Sequence, residues 1–305
     1  MRNIRQIMGR FISKNMKWFG YTFFCIIVAG SLLYYRFPSD ALRDYLTITA
    51  NNLNNSATLS IGQIKPSLPF GLKIGQTELF LKDKPSIKLF SADSLFIKPD
   101  PWAFFKGKTK YCFECLAYGG DVSGCVYFKE NGMEAPFDTE IELTNIQIAK
   151  YAHLKDMIGL QVDGILYATI FYNGQHKNPM DGTGEANLKL LDGSIELLVP
   201  ILSLESIEFH EIKSDMMLKK QTIHIKRLEL TGPLLRSTLS GTIGLKKEFV
   251  KSALHLKGTV EPFTSFFKGM GVASNAVDFF KQRLKKGALH FIIHGTLADP
   301  KIRFT

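Results

Sequence analysis

Four cysteines and seven histidines are the side chains in this 305-residue sequence best able to bind a metal or run redox chemistry. Cys112-Phe113-Glu114-Cys115 has the two-residue spacing of redox and zinc motifs. A structural zinc site needs a second pair, and the sequence offers neither that pair nor a nearby histidine. A thioredoxin-type motif opens a helix in a βαβ unit, whereas the residues around Cys112 alternate as strands do. Tyr111 to Ala117 and Asp121 to Phe128 read as a hairpin around Tyr118-Gly119-Gly120. Cys112 and Cys115 are three positions apart and therefore point to opposite strand faces. Read with a three-residue loop, the hairpin sets Cys115 opposite Cys125, and the expectation is a Cys115–Cys125 disulfide. The alternative is three reduced, half-buried thiols. Cys25 reads as an apolar filler within a helix.

The histidines give no stronger signal. Only His290 and His294 are close, as His-Phe-Ile-Ile-His, and in a strand they share a face with Ile292. Ordinary sheet residues explain them better than a metal pair. The sequence contains no Gly-x-Ser-x-Gly elbow, no phosphate-binding loop and no complete dinucleotide fingerprint; Gly182-Thr183-Gly184 lacks the third glycine. Glu140 and Glu142 alternate with apolar residues, which marks a solvated strand face rather than a catalytic dyad. The expectation is a protein with no catalytic residue, no metal and no cofactor, and therefore not an enzyme.

What would position such residues begins with a helix. Trp18 to Tyr35 is an 18-residue run without a charged side chain. As a helix it is about 27 Å long, close to the hydrocarbon thickness of a bilayer. Trp18 and Phe19 at one end, and Tyr34 and Tyr35 at the other, are the rings that anchor at headgroup level. Five positive residues precede the run and no acidic residue occurs before Asp40, so the reading keeps residues 1–17 in the cytoplasm, spans with 18–36, and sends the rest across. The competing reading is a cleaved signal peptide with Ala29-Gly30-Ser31 at the cleavage site, but apolar residues continue beyond it. A lipidated Cys25 would want a small residue before it, and Thr22-Phe23-Phe24 precedes it.

Residues 37–56 read as a juxtamembrane helix and linker. Phe37-Pro38-Ser39-Asp40 is a helix start, and Leu42, Tyr45, Leu46, Thr49 and Leu53 follow at helical spacing. From Ala57 to Thr305 the period is two, most plainly in Phe137-Asp138-Thr139-Glu140-Ile141-Glu142-Leu143. Turn signals punctuate it, among them Asn131-Gly132, Asn173-Gly174, Asp181-Gly182 and Asp192-Gly193, which together indicate an antiparallel meander. Ile146 to Met157 reads as a short connector helix. Ser274 to Lys286 reads as an amphipathic helix whose apolar face, Val277, Phe280 and Leu284, either caps the sheet or meets lipid. Gly164-Ile165-Leu166, Gly241-Thr242-Ile243, Gly258-Thr259-Val260 and Gly295-Thr296-Leu297 repeat one local pattern at irregular spacing. Glycine inside strands marks bulges and bends, and repeated bends curl a sheet into a trough; a two-sheet sandwich is the other solution.

The order of these segments resembles the type II secretion system protein N family, in its long β-rich form. The stretches that carry it are Phe37-Pro38-Ser39-Asp40, Ile64-Lys65-Pro66-Ser67-Leu68-Pro69-Phe70-Gly71-Leu72, Ala117-Tyr118-Gly119-Gly120-Asp121-Val122-Ser123-Gly124, Leu239-Ser240-Gly241-Thr242-Ile243 and Gly295-Thr296-Leu297-Ala298-Asp299-Pro300. The glycine-rich strand ends and the closing Gly-Thr-Leu-x-Asp-Pro also look like the wider AsmA-like group of envelope proteins. The resemblance implies a curved β-sheet with a lipid-lined groove and supplies no catalytic residues. Three cysteines in the outer domain depart from it.

The expected protein is mainly β, one transmembrane helix followed by a curved antiparallel sheet with a few short helices. It sits in the bacterial inner membrane with its β-rich domain in the periplasm. Its expected role is a non-enzymatic accessory component of a type II secretion apparatus; the alternative is an AsmA-like lipid-binding or lipid-transfer protein. Its partners are membrane lipids and other secretion-system or envelope proteins, with no small-molecule substrate. The net charge of +10 is diffuse and suits phospholipid headgroups. Nucleic acid is not expected, because no compact basic stripe with interleaved aromatics is present.

Overall fold

A computed structural model describes residues 2–53, 57–67, 71–82, 84–129, 136–151, 153–155, 161–174, 181–201, 204–246, 248–269 and 287–305. Two helices come first, α1 (Arg2–Tyr35) and α2 (Ser39–Leu53). The strands follow: β1 (Ala57–Ile61), β2 (Ile64–Ser67), β3 (Gly71–Leu81), β4 (Lys84–Pro99), β5 (Thr109–Ala117), β6 (Gly120–Phe128), β7 (Phe137–Gln147), β8 (Ile165–Gly174), β9 (Thr183–Ile201), β10 (Leu204–Lys219), β11 (Thr222–Thr231), β12 (Leu235–Gly244), β13 (Ala253–Pro262), β14 (Leu289–Thr296) and β15 (Pro300–Phe304). Short helices interrupt them, among them α3 (Pro101–Phe105) between β4 and β5, and α4 (Thr264–Gly269) after β13.

All fifteen strands belong to one sheet, and its order follows the sequence from β3 to β15. Every pairing is antiparallel. The architecture is therefore a single curved meander and not a two-sheet sandwich. β1 and β2 share one edge of β3, interrupted at Gly62-Gln63, where Gly62 N–H donates to Gln76 O and Gly75 N–H to Gln63 O. Helix α2 covers this edge. Its Asn51 side chain accepts from Leu59 N–H at 2.6 Å and donates to Leu59 O, completing backbone groups that an edge strand leaves open. The far edge, β15, carries Pro300, Lys301 and Arg303, residues that discourage further pairing.

Helix α1 is continuous over 34 residues. No helix among the described residues is long and apolar enough to cross a membrane. Trp18, Phe19, Tyr34 and Tyr35 are all exposed.

Several local expectations are corrected. The β5–β6 turn holds two residues, Tyr118 and Gly119, both with positive φ (53° and 77°), the geometry that matches the twist of a tight hairpin. Ala117 then pairs with Gly120, Cys112 with Cys125 and Cys115 with Val122. The disulfide is Cys112–Cys125, and Cys115 is a buried free thiol. Even a three-residue loop would set Cys115 opposite Ser123, so the expected Cys115–Cys125 bridge failed on register as well as on turn type. Residues 146 and 147 continue β7, pairing with Leu166 and Ile165, and a 3₁₀ turn over Ile148–Lys150 follows, so the first part of the expected connector helix is replaced; Leu154 and Lys155 are helical, and residues 156 and 157 lie outside the described residues. Asp192-Gly193 is no turn. It lies inside β9, with Asp192 at φ 44°. The expected helix over Ser274 to Lys286, with Val277, Phe280 and Leu284, lies outside the described residues, as does Asn131-Gly132.

Three of the four repeated glycines take a conformation that favours glycine, whereas Gly258 pairs in unshifted register with Leu239 and Phe291 and has no positive φ. Gly164, Gly241 and Gly295 have φ of 137°, 141° and 102°. At Gly241 a Cβ would come within 2.2 Å of His255 O, and the β11–β12 register shifts beside it, between Ile225 and Leu228. Only glycine fits there.

Candidate functional site

Strict alternation puts alternate side chains of each strand on one face, and the registers fix which residues stand side by side. One ladder crosses thirteen strands through directly paired residues: Leu72, Ile97, Phe113, Gly124, Ile141, Ile170, Ala186, Met216, Ile225, Gly241, Leu256, Ile293 and Ile302. A second runs beside it on the same face: Ile64, Ile74, Leu95, Cys115, Val122, Leu143, Ala168, Leu188, Ser214, Leu228, Leu239, Gly258, Phe291 and Phe304. A shorter third adds Ile146, Leu166, Leu190, Ile212, Leu230, Ser237, Val260 and Leu289. None of the three contains a charged residue. At about 4.8 Å per strand, the longest is about 60 Å from end to end.

The opposite face is polar. The intervening ladder reads Lys73, Phe96, Glu114, Ser123, Glu142, Thr169, Asn187, Asp215 and Arg227. Ion pairs lace it, including Lys98–Glu114 at 3.0 Å and Lys189–Glu211 at 3.2 Å. Hydrogen bonds from Lys213 and then Lys189 hold the Glu211 carboxyl below its ordinary range. The Cys112–Cys125 bridge lies on this face, between Lys98 and Glu140.

The apolar face is only partly covered. Ile97, Phe113, Val122, Ile141, Leu143, Ile170 and Leu188 all remain partly exposed although they point to it. Over β4 to β7 it forms an apolar cavity of about 470 Å³, lined by Phe90, Leu95, Ile97, Phe113, Val122 and Ile141 among others. Cys115 is buried in this face. Loss of water, aided by the charge of Asp93, pushes its thiol up to about 11, which keeps it protonated and unreactive at neutral pH. Ser214 interrupts the second ladder with a buried hydroxyl that has no hydrogen-bond partner among the described residues.

At one margin the apolar face gives way to a polar cavity of about 480 Å³, lined by Lys88, Ser91, Asp93, Tyr118, Lys150 and Tyr151. Tyr118 joins the two cavities, since its ring packs edge-on against Phe90 at 6.1 Å and against Tyr151 at 5.3 Å. Its hydroxyl accepts from Ser91 N–H at 2.9 Å, and burial raises its pKa. A tyrosine at φ 53° is uncommon, and these contacts hold it there.

His290, Ile292 and His294 share the polar face, as expected. The nearest histidine to His294 is not His290 but its cross-strand partner His255, which the sequence did not reveal because the β13–β14 register is a long-range property. Among the described residues no three His, Cys, Asp or Glu side chains gather to hold a metal.

Compared with protein-family models, characterised proteins and solved structures, the chain matches none.

Proposed function

We propose that this chain is a non-enzymatic envelope protein that holds lipid acyl chains along the apolar face of its sheet. The observation that carries this reading is the pair of uncharged ladders that run side by side on one face, one over thirteen strands and one over fourteen. A sheet with one apolar face must cover it. About 60 Å of face exceeds the roughly 15 Å thickness of one acyl layer several times over, so several chains fit along it. Each methylene that leaves water gains about 0.8 kcal/mol. The polar cavity beside Tyr118 suits a headgroup at the margin of such a face.

Anchoring in the bacterial inner membrane by residues 18–36 belongs to the same proposal. The continuous helix and the exposed rings of Trp18, Phe19, Tyr34 and Tyr35 support it. The five positive residues before Trp18 support a cytoplasmic start. The disulfide favours an oxidising compartment for the sheet. Service as an accessory part of a type II secretion apparatus rests on the family resemblance, and co-purification of secretion subunits with the full chain tests it.

Site-specific photocrosslinking tests the lipid reading. A photoreactive residue replacing Leu188, on the apolar face, should capture phospholipid in the full chain, while one replacing Asn187, on the polar face, should not. Equal capture at both positions, or none at Leu188, would overturn the reading.

A further inference from the structure

Helix α3 presents an anomaly that the sheet does not explain. It is five residues long and projects from the β4–β5 connection, yet Trp102, Phe104 and Phe105 are 75%, 76% and 80% exposed. Three large apolar side chains this bare on one short segment are not the scattered exposure that any surface shows.

The segment is also rigidly built. Asp100 caps it, its carboxylate accepting from Trp102 N–H at 3.0 Å and Ala103 N–H at 3.3 Å, and Pro101 fixes the first helical position. Lys106 N–H and Lys108 N–H both donate to Ala103 O, and Gly107, at φ 70°, closes the turn. At the base Asp100 N–H donates to Lys110 O, and the Lys110 ammonium lies 3.6 Å from the Asp100 carboxylate. The rings of Trp102 and Phe105 meet at 6.4 Å. Stiff backbone beneath bare aromatics is the arrangement of a preformed wedge. It avoids the ordering cost that a flexible loop would meet on binding.

The residues around the wedge identify what it enters. Lys106 and Lys108 follow the rings in sequence and are exposed, and neither joins an ion pair among the described residues. A tryptophan and two phenylalanines followed by exposed lysines match an anionic bilayer surface, with rings at the acyl boundary and ammonium groups among phosphates. We propose that Pro101 to Lys108 is a membrane-contacting wedge that inserts Trp102, Phe104 and Phe105 into the interface of an anionic lipid bilayer. The proposal is independent of what covers the sheet.

The test uses the full chain carrying Trp18→Phe, which leaves Trp102 as the sole tryptophan. The chain is reconstituted in vesicles, and vesicles of brominated phosphatidylglycerol or brominated phosphatidylcholine supply the quencher, either in the same membrane or added outside. Trp102 emission should shift to the blue and be quenched. The two lysines should favour the anionic lipid about thirtyfold, an advantage that falls as salt rises. Phe104→Ser with Phe105→Ser should abolish quenching, and Lys226→Glu, far along the chain, should not. Water-like, unquenched Trp102 emission in every vesicle would overturn the proposal. So would a blue shift that needs another protein and occurs without quenching, because the wedge would then be a protein contact.

Discussion

Ile170 and Phe171 are neighbours in β8 with opposite fates if lipid lies on the apolar ladders. Ile170 stands between Ile141 and Ala186 on that face, and Phe171 stands between Glu140 and Glu185 on the other. Covering a fully exposed isoleucine is worth about 1.5–3 kcal/mol. Ile170 is already half-buried, so lipid adds about 1 kcal/mol there. Ile170→Lys removes that gain and sets an ammonium against hydrocarbon, so the total loss is about 3 kcal/mol, roughly a hundredfold in lipid retention. The folded chain loses far less, because the same side chain reaches water when no lipid is present. Phe171→Lys removes a larger apolar side chain, 44% exposed, but sets its charge between two carboxylates. It should retain lipid as the parent does. The assay is phospholipid per chain after organic extraction, with urea unfolding of both variants as the control for folding. Equal lipid in the two variants would refute the assignment of faces to ligand.

Three further outcomes follow from named contacts. Non-reducing peptide mapping should find Cys112 joined to Cys125, and Cys112→Ser should lower stability by about 2–3 kcal/mol by the loop-closure argument, while Cys115→Ser leaves the bridge intact. The Cys115 thiol is raised from 9.0 to about 11, so the folded chain holds a proton that the unfolded chain releases. Its contribution to stability is complete below pH 9 and declines between pH 9 and 11, and urea midpoints of the parent against Cys115→Val should diverge in that window. Gly241→Ala should destabilise by more than about 2 kcal/mol, because the new methyl meets His255 O and φ is 141°; a midpoint change under half that would show that the bulge relaxes.

Much of the sheet was legible because its strands obey a period of two so closely. Phe137 to Leu143 announced β7, and the repeated glycines announced bends that Gly164, Gly241 and Gly295 supply. What escaped was whatever depends on counting across a turn. Tyr118 at a left-handed position is a poor fit to ordinary turn preferences, so the two-residue loop and the Cys112–Cys125 bridge could not be read from residue types. Asp192-Gly193 carries the signature of a hairpin yet serves as an interruption inside a long strand. The apolar ladders could not be read from the sequence, since the longest depends on thirteen successive registers and no single strand encodes it. The wedge at Trp102 went unnoticed because Pro-Trp-Ala-Phe-Phe looks like core material until the fold leaves it outside.

The simple neighbour-to-neighbour order of β3 to β15 has a consequence for growth. Each added hairpin joins two rungs to the end of the rail and returns the chain to the same end of the strands, lengthening the sheet by about 10 Å without disturbing any earlier pairing. Removing a hairpin shortens it equally. An odd change of one strand would instead send the chain out from the opposite end. Strands are therefore gained and lost most simply in pairs, and the length of the apolar face is set by counting hairpins.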